Sequence, residues 1–492
     1  MGAFTKTTHV PATAARPAAR PLTEELDVII VGAGSAGLAA LAEVRKRTER
    51  FVLINDGAYG TTCARVGCMP SKALIEAAGA YHRRRSFEAF GIRGGQDLRI
   101  DVPAVLRRVR ELRDDFVEGV LERTESLEER NVAGRARLLG PDTVEVGDRR
   151  LRARRIVLAT GSRPVVPGEW RSLGERVLTT EDLFEQEDLP ARMAVVGLGA
   201  VGVEMAQALS RLGVEVHGFT TGDKLAGLGD GAVHEALAEA LQEELAIHLG
   251  SPVELSALPG GVEVTNGDAR AVVDRVLVAV GRTPNIEGLG LESLGVEFDE
   301  RGLPQVDPGT LQIADLPVFL VGDANGYRAI LHEAADEGHI AGVNACTDEP
   351  KCFRRRTPLN IVFSDPDVAV VGQGRAELDG QEVVTGAFDF AGQGRARTAE
   401  RNRGTVRVYA AAQSGRLLGS ELCAPAGEHL AHLLALAIDR ELTVQDLLRL
   451  PFYHPVLEEG LRSALRRLAS KLPDAGESSL ASCSDFEIQA LD

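Results

Sequence analysis

Two stretches of the chain share one pattern of apolar and glycine positions. In residues 26–47, LDVIIVGAGSAGLAALAEVRKR, the apolar run Val28–Val31 leads into Gly32-x-Gly34-x-x-Gly37 and then an Ala/Leu-rich helical pattern. A second apolar run, FVLIN, ends at Asn55. Residues 192–219, RMAVVGLGAVGVEMAQALSRLGVEVHGF, repeat the arrangement with Gly197, Gly199 and Gly202. Both predict strand, glycine turn, helix, strand. The first glycine permits the tight turn, the second lets backbone approach a pyrophosphate, and the third lets helix lie close to strand. The helix N-terminus adds free N–H groups and partial positive charge for phosphates. One such loop is weak evidence. Two, each in full context, predict two dinucleotide-binding folds.

Two further strands end in glycine and resemble each other, RIVLATGSRP at 155–164 and RVLVAVGRTPN at 275–285, which suggests an internal duplication. LPVFLVGDANG at 316–326 sets Asp323 just beyond a buried strand, where a carboxylate accepts hydrogen bonds from sugar hydroxyls or caps the next helix. After about residue 355 the pattern alternates as antiparallel strands do, and helical stretches follow at 427–450 and 457–470. The predicted class is α/β, with two Rossmann-like domains and a C-terminal α+β domain.

Composition narrows the function classes. With 55 Lys+Arg against 72 Asp+Glu, the net charge of −17 argues against a nucleic-acid partner. No apolar run approaches the ~20 residues that span a bilayer. Residues 1–24 are rich in Ala, Pro, Thr and Arg without an apolar core, so they read as a disordered extension and not a secretory signal, and a cytoplasmic location is expected. Six cysteines are too few for a disulfide scaffold. Cys346, Cys352, Cys423 and Cys483 read as ordinary thiols. The pair Cys63 and Cys68 in GTTCARVGCMPSK does not match the usual zinc-ligand spacings, so no metal site is expected, and in a reducing compartment such a pair is either catalytic or accidental.

Two dinucleotide folds suggest a tightly held flavin and a nicotinamide. A dithiol beside a flavin can pass two electrons between nicotinamide and a disulfide. That step needs a thiolate, hence a base or a positive field. The candidate base is His454 in FYHPVLEEG, with Glu459 or Glu458 available to orient its imidazole.

With GAGSAG, GTTCARVGCMPSK, ATGSRP, GLGAVGVE, AVGRTPN, VFLVGDANG and HPVLEE in this order, residues 26–472 resemble the FAD-dependent pyridine nucleotide–disulfide oxidoreductases, and among them most the dihydrolipoamide dehydrogenases. The resemblance implies FAD and NAD as cofactors, with NADP left open. It implies that Gly32, Gly34, Gly37, Asn55, Thr62, Lys72, Thr160, Gly161 and Asp323 hold FAD, and that Gly197, Gly199, Gly202, Glu204 and Gly281 serve the nicotinamide dinucleotide. Cys63 resembles the thiol that exchanges with substrate and Cys68 the thiol nearest the flavin. Lys72 and Glu204 resemble an ion pair between flavin and nicotinamide, and His454 with Glu459 the base dyad. In the family that dyad belongs to the other subunit, so the resemblance implies a homodimer with a shared active site.

It also implies a division into an extension (1–25), an FAD-binding domain with the redox disulfide (26–160), an NAD(P)-binding domain (161–283), a second FAD-binding part (284–355), a dimerisation domain (356–472) and a tail (473–492). Four places depart from the family. Asn55 stands where an acidic residue is usual. Gly218, Phe219 and Thr220 carry neither the carboxylate of NAD enzymes nor the arginine of NADP enzymes. Val456 replaces a threonine. Ala64 and Arg65 fall between the cysteines, where Arg65 either favours an anionic substrate or sits on the surface.

The expected activity is electron transfer between dihydrolipoamide and NAD, the partner being a small dithiol or a lipoyl domain of a 2-oxo acid dehydrogenase complex. The alternatives are an NAD(P)H-dependent reductase of another disulfide, a quinone or a metal acceptor, and a non-enzymatic FAD-binding interaction protein. A mercuric reductase would need a vicinal cysteine pair near the C-terminus, where only Cys483 stands, and a soluble transhydrogenase would lack the full pair.

Overall fold

The computed structural model describes residues 25–473 and Leu480. Residues 1–24, the remainder of the proposed tail and Cys483 lie outside the described residues. The described chain folds as two units, one of residues 25–59, 124–161 and 284–352, the other of 60–123, 162–283 and 353–473.

In the first unit, strand Glu25–Val31 lies at the centre of a largely parallel sheet. It pairs with Phe51–Asn55 on one side (Val31↔Ile54) and with Arg149–Leu158 on the other (Val31↔Leu158). Val28, Ile29 and Ile30 are fully buried, as a continuous apolar run covered on both faces requires. Val318–Leu320 extends the sheet beyond Arg149–Leu158.

Helix Ser35–Val44 lies against helix Leu331–Asn344 at backbone contact. A Cβ on Gly338 would come 2.0 Å from the Ala36 carbonyl oxygen, and one on Gly342 2.6 Å from that of Ala40. Small residues four apart on each helix allow this approach.

The second unit repeats the plan. Its parallel sheet runs Ala246–Leu249, Glu215–Thr220, Arg192–Val196, Arg275–Val278, Val177–Leu178. The strand order around Arg192–Val196 matches that around Glu25–Val31, so the expected duplication extends to topology. An antiparallel meander, Val253–Leu258, Gly261–Asn266 and Ala269–Val273, buries Val262, Val264 and Val273 with Trp170 and Phe219. The C-terminal sheet is antiparallel, in the order Leu359–Val362, Asp367–Gly372, Leu417–Ala424, Thr405–Ala411, Val383–Asp389. Helices Gly427–Asp439 and Glu458–Ala469 bury their apolar faces in the core of this part.

A buried polar joint ties the nucleotide part of this unit to the C-terminal sheet. Asp230 caps helix Gly231–Gln242 through the Ala232 N–H. It also accepts from Arg407 Nε at 3.0 Å and from the Tyr409 hydroxyl at 2.9 Å. Glu421, 1% exposed, accepts from the N–H groups of Gly229, Asp230 and Arg375. Burial and the two carboxylates push the Tyr409 phenol well above its usual range, so it remains a donor. Each buried charge has partners, as the cost of an unpaired one demands.

The glycine contacts predict opposite signs for one substitution at two helical positions. Gly338→Ala forces two helices apart and should lower stability by about 1–3 kcal/mol. Gly79, inside helix Cys68–His82, has no atom within 4 Å of an added Cβ, and Gly79→Ala should raise stability by about 0.5–1 kcal/mol. Urea unfolding midpoints check both.

Candidate active site

The two glycine loops show the same geometry. A Cβ on Gly32 (φ 107°) would lie 2.2 Å from the Ala159 carbonyl oxygen, and one on Gly37 would lie 1.8 Å from that of Gly32. Gly197 (φ 92°) stands 2.4 Å from the Ala279 oxygen by the same measure, and Gly202 1.7 Å from that of Gly197. The protein's own backbone therefore demands the first and third glycines. Gly34 and Gly199 meet nothing within 4 Å and leave room for a phosphate to approach the backbone. Each middle glycine is the N-cap of the helix that follows.

Asn55 braces the first loop. Its Oδ1 accepts the Ala33 N–H at 3.0 Å and its Nδ2 donates to the Gly57 oxygen at 3.2 Å. The hydroxyl of Thr160 is buried without a hydrogen-bond partner, as befits a group that meets a bound cofactor. Asn285 holds that turn through the carbonyls of Thr160 and Gly161.

Asp323 lies in the turn Gly322–Asn325 beyond strand Val318–Leu320. It does not cap the next helix, whose N-cap is Ile330. Glu337, 1% exposed, holds the turn by accepting from the Gly322 N–H at 2.6 Å and from Asn325 Nδ2 at 2.7 Å. Sequence reasoning missed Glu337, whose only signal is an acid inside a helix of small residues. The orphan hydroxyl, the open Gly34 and the free helix N-terminus fit the diphosphate and sugars of FAD.

Register shows which of Gly218, Phe219 and Thr220 corresponds to Asn55 of the first unit. The Gly32 N–H donates to the Ile54 carbonyl, and the Gly197 N–H donates to that of Phe219. Thr220 therefore stands where Asn55 stands in the first unit. Phe219 is fully buried, stacked on His248 with ring centroids 4.6 Å apart. Gly281 (φ 122°) ends the turn after strand Arg275–Val278 and accepts from the Val165 N–H.

The two cysteines sit on successive helices. Thr61 Oγ1 accepts from the Ala64 N–H and starts helix Thr62–Val66, which carries Cys63. Thr62 is exposed in its first position. Gly67 (φ −125°, ψ −116°) interrupts the helix there, and a Cβ at this position would lie 3.0 Å from the Thr62 oxygen. Cys68 then opens the 15-residue helix Cys68–His82, where unbonded N–H groups favour a thiolate. The two thiols interact electrostatically with each other. The Cys63 thiol donating to Cys68, aided by the Lys72 charge, lowers Cys68 to about 6 against its burial. The same bond, with burial, pushes Cys63 well up.

Lys72 follows one turn on and meets Glu204 at 2.8 and 3.0 Å. Glu204, 6% exposed in helix Ala200–Arg211, also accepts the Phe363 N–H at 3.0 Å. Cys68, Lys72, Glu204 and the second glycine loop thus belong to one unit. Ala64 is buried and Arg65 half-buried, its stem beside Gly60.

His454 and Glu459 form the expected dyad, with Nδ1 and Oε2 3.0 Å apart. Arg462 holds the other carboxylate oxygen at 3.0 Å. Burial opposes charge on Glu459, but its hydrogen bonds to His454 and the Val456 N–H outweigh it and hold the carboxyl below the usual range. The Val456 carbonyl accepts from Gln393. The His454 side chain is 79% exposed, and among the described residues no hydrogen bond or ion pair joins this dyad to the thiols. Among the described residues no cluster of three metal-ligating side chains occurs, and no helix is long and apolar enough to cross a membrane.

Known proteins match this architecture over 90% of the chain. Residues 26–338 match the family described as pyridine nucleotide-disulphide oxidoreductase, and residues 359–465 match its dimerisation domain. A dihydrolipoyl dehydrogenase of Thermus scotoductus is 32% identical over 462 residues, covering 90% of this chain and 97% of its own. Dihydrolipoyl dehydrogenase 2 of Haloarcula marismortui is 30% identical over 463 residues, with 90% and 96% covered. Among solved structures, LpdA from Mycobacterium tuberculosis is similar with a TM-score of 0.78 at 25% identity, covering 90% of this chain and 99% of that one. The flavoprotein disulfide reductase RclA from Escherichia coli shares the fold, with a TM-score of 0.77 at 23% identity and 89% and 99% covered. The chain belongs to the pyridine nucleotide–disulphide oxidoreductase family, and is an FAD-dependent enzyme that exchanges electrons between a disulfide and a pyridine nucleotide.

Proposed function

We propose that this chain is a dihydrolipoyl dehydrogenase, oxidising dihydrolipoamide or a lipoyl domain with NAD as acceptor, and that it works as a cytoplasmic homodimer. The observation that carries the reading is the placement of Cys68 at a helix N-terminus, within reach of Cys63 and one turn from the Lys72–Glu204 pair. The names of the relatives at 30–32% identity support the lipoyl substrate. The matched dimerisation domain and the exposed His454 support a site shared between subunits.

In this reading the resting enzyme holds a Cys63–Cys68 disulfide. The partner subunit's His454, oriented by a glutamate on its Nδ1 side, takes a proton from one substrate thiol. The resulting thiolate attacks Cys63 Sγ, the Cys63–Cys68 bond breaks, and Cys68 leaves as a thiolate stabilised by Lys72 and the helix N-terminus. The second substrate thiol then attacks the mixed disulfide, forms the cyclic product disulfide and releases Cys63, which takes up a proton. Two electrons have passed from substrate to the thiol pair. Bound FAD supplies the two-electron relay from that pair to the nicotinamide. Gly32, Gly34, Gly37, Asn55, Thr160, Gly161 and Asp323 would hold FAD, with Thr62 and Lys72 assigned to it from the thiol segment. Gly197, Gly199, Gly202 and Gly281 would hold the nicotinamide dinucleotide, and Glu204 fixes Lys72.

His454→Ala is expected to lower kcat/KM for dihydrolipoamide by about 10²–10⁴-fold, because the substrate proton loses its acceptor. Reduction of an artificial dye by NADH, which needs no such base, should stay within about twofold of wild type. Equal losses in the two assays would refute the assignment.

The nucleotide choice has its own test. Thr220, neutral and half-buried, offers a hydroxyl and no repulsion. Thr220→Asp should shift the kcat/KM ratio toward NAD over NADP by about tenfold, since a carboxylate there repels a 2′-phosphate. Steady-state assays with both nucleotides measure that ratio, and an unchanged ratio would show that Thr220 does not face the adenosine ribose.

A further inference from the structure

Phe363 lies between the C-terminal sheet strands Leu359–Val362 and Asp367–Gly372, far in sequence from both cysteines. No motif singles it out. Its backbone N–H donates to Glu204 Oε1 at 3.0 Å, and its ring centroid lies 4.5 Å from the Lys72 ammonium. One residue thus touches both members of the ion pair, the carboxylate with its backbone and the cation with its ring.

The loop that carries Phe363 is fastened to helix Ala200–Arg211 along one face. Gln207 accepts from the Asp365 N–H at 2.8 Å and donates to the Asp365 carbonyl at 3.0 Å. Arg211 reaches the Asp365 carboxylate at 3.2 Å, while Glu244 holds the same guanidinium at 2.7 and 2.8 Å. Glu204, Gln207 and Arg211 recur at helical spacing, so one stripe of the helix grips residues 363–365. The ring of Phe363 is held in place by a rigid frame. It is half-buried, and Lys72 keeps 30% of its side-chain surface exposed.

We propose that Phe363 is a positioning residue of the thiol site, its ring holding the Lys72 ammonium where that charge stabilises the Cys68 thiolate. The aliphatic stem of Lys72 leaves the ammonium several rotamers, and the Glu204 carboxylate alone draws it toward the helix Ala200–Arg211. A ring face on the other side supplies a second attraction and excludes water from part of the cation. The charged and titratable groups facing Cys68 are Cys63 and Lys72 from its own segment and Glu204 from the neighbouring helix. Only Lys72 among them is a cation, so what fixes Lys72 tunes the field that the helix N-terminus also supplies at the sulfur.

The inference rests on the proposed thiolate role of Cys68, and its test reads that thiolate directly, without the lipoyl substrate. In FAD-loaded Cys63→Ser dimer, Cys68 is the remaining thiol of the pair, and its alkylation by iodoacetamide across pH, resolved by peptide mass, reports its ionisation. Adding Phe363→Leu keeps the backbone bond to Glu204 and removes the ring. The thiolate fraction of Cys68 at neutral pH should then fall about threefold, the profile moving to higher pH. Phe363→Tyr keeps a ring face and should restore the parent profile. An unchanged profile in the leucine variant, or an equal shift in the tyrosine variant, overturns the proposal. Failure of the enzyme on dihydrolipoamide would leave this profile untouched and would speak only against the substrate.

Discussion

The Lys72–Glu204 ion pair holds together three parts of the second unit that lie far apart in the chain. Lys72 comes from the helix that Cys68 opens, Glu204 from the helix behind the second glycine loop, and Phe363 from the approach to the C-terminal sheet. Glu204 is almost wholly buried, and a buried carboxylate is costly unless paired and hydrogen-bonded. Two contacts from Lys72 and one backbone N–H meet that requirement. The pair therefore fixes where the thiols stand relative to the second dinucleotide loop. Its cation supplies the positive field that a reactive thiolate needs, so the same contact serves packing and chemistry.

The dinucleotide loops rest on a different constraint, which is close approach of backbone to backbone. In both, the first glycine clears the carbonyl at the end of a neighbouring strand, and the third clears the carbonyl of the first. These contacts set the angle at which each helix leaves its strand. Only the middle glycine remains open, with room for a phosphate to approach its backbone. Two identical solutions in one chain agree with descent from a duplicated unit.

Thiol chemistry follows from helix geometry. A glycine between a 5-residue helix and a 15-residue helix makes Cys68 a helix start, while Cys63 stays in the preceding helix. Their mutual interaction then separates the two acidities, one down and one up. In the proposed exchange, Cys68 is the thiol stabilised to leave. His454 carries its own carboxylate and, among the described residues, makes no bond to these sulfurs.

Much of this was readable along the chain because it is local. Glycine spacing after an apolar run, the cysteine pair, and a histidine five residues before its glutamate are short-range patterns, and they named the loops, the dithiol and the dyad. Contacts across long separations were not readable. Thr220, among three adjacent candidates, is matched to Asn55 only by strand register, which the hydrogen bond from the Gly197 N–H to the Phe219 carbonyl fixes. Glu337 and Phe363 gain meaning only when folding brings them 15 and 159 residues along the chain to Gly322 and Glu204. The acidity of Cys68 belongs with these, because it depends on distances to neighbours and not on residue type. The sequence by itself determined which chemistry was available, since residue type and near spacing carry it. Tertiary structure decided which groups are charged, held and aimed, because electrostatics and hydrogen bonding act through space.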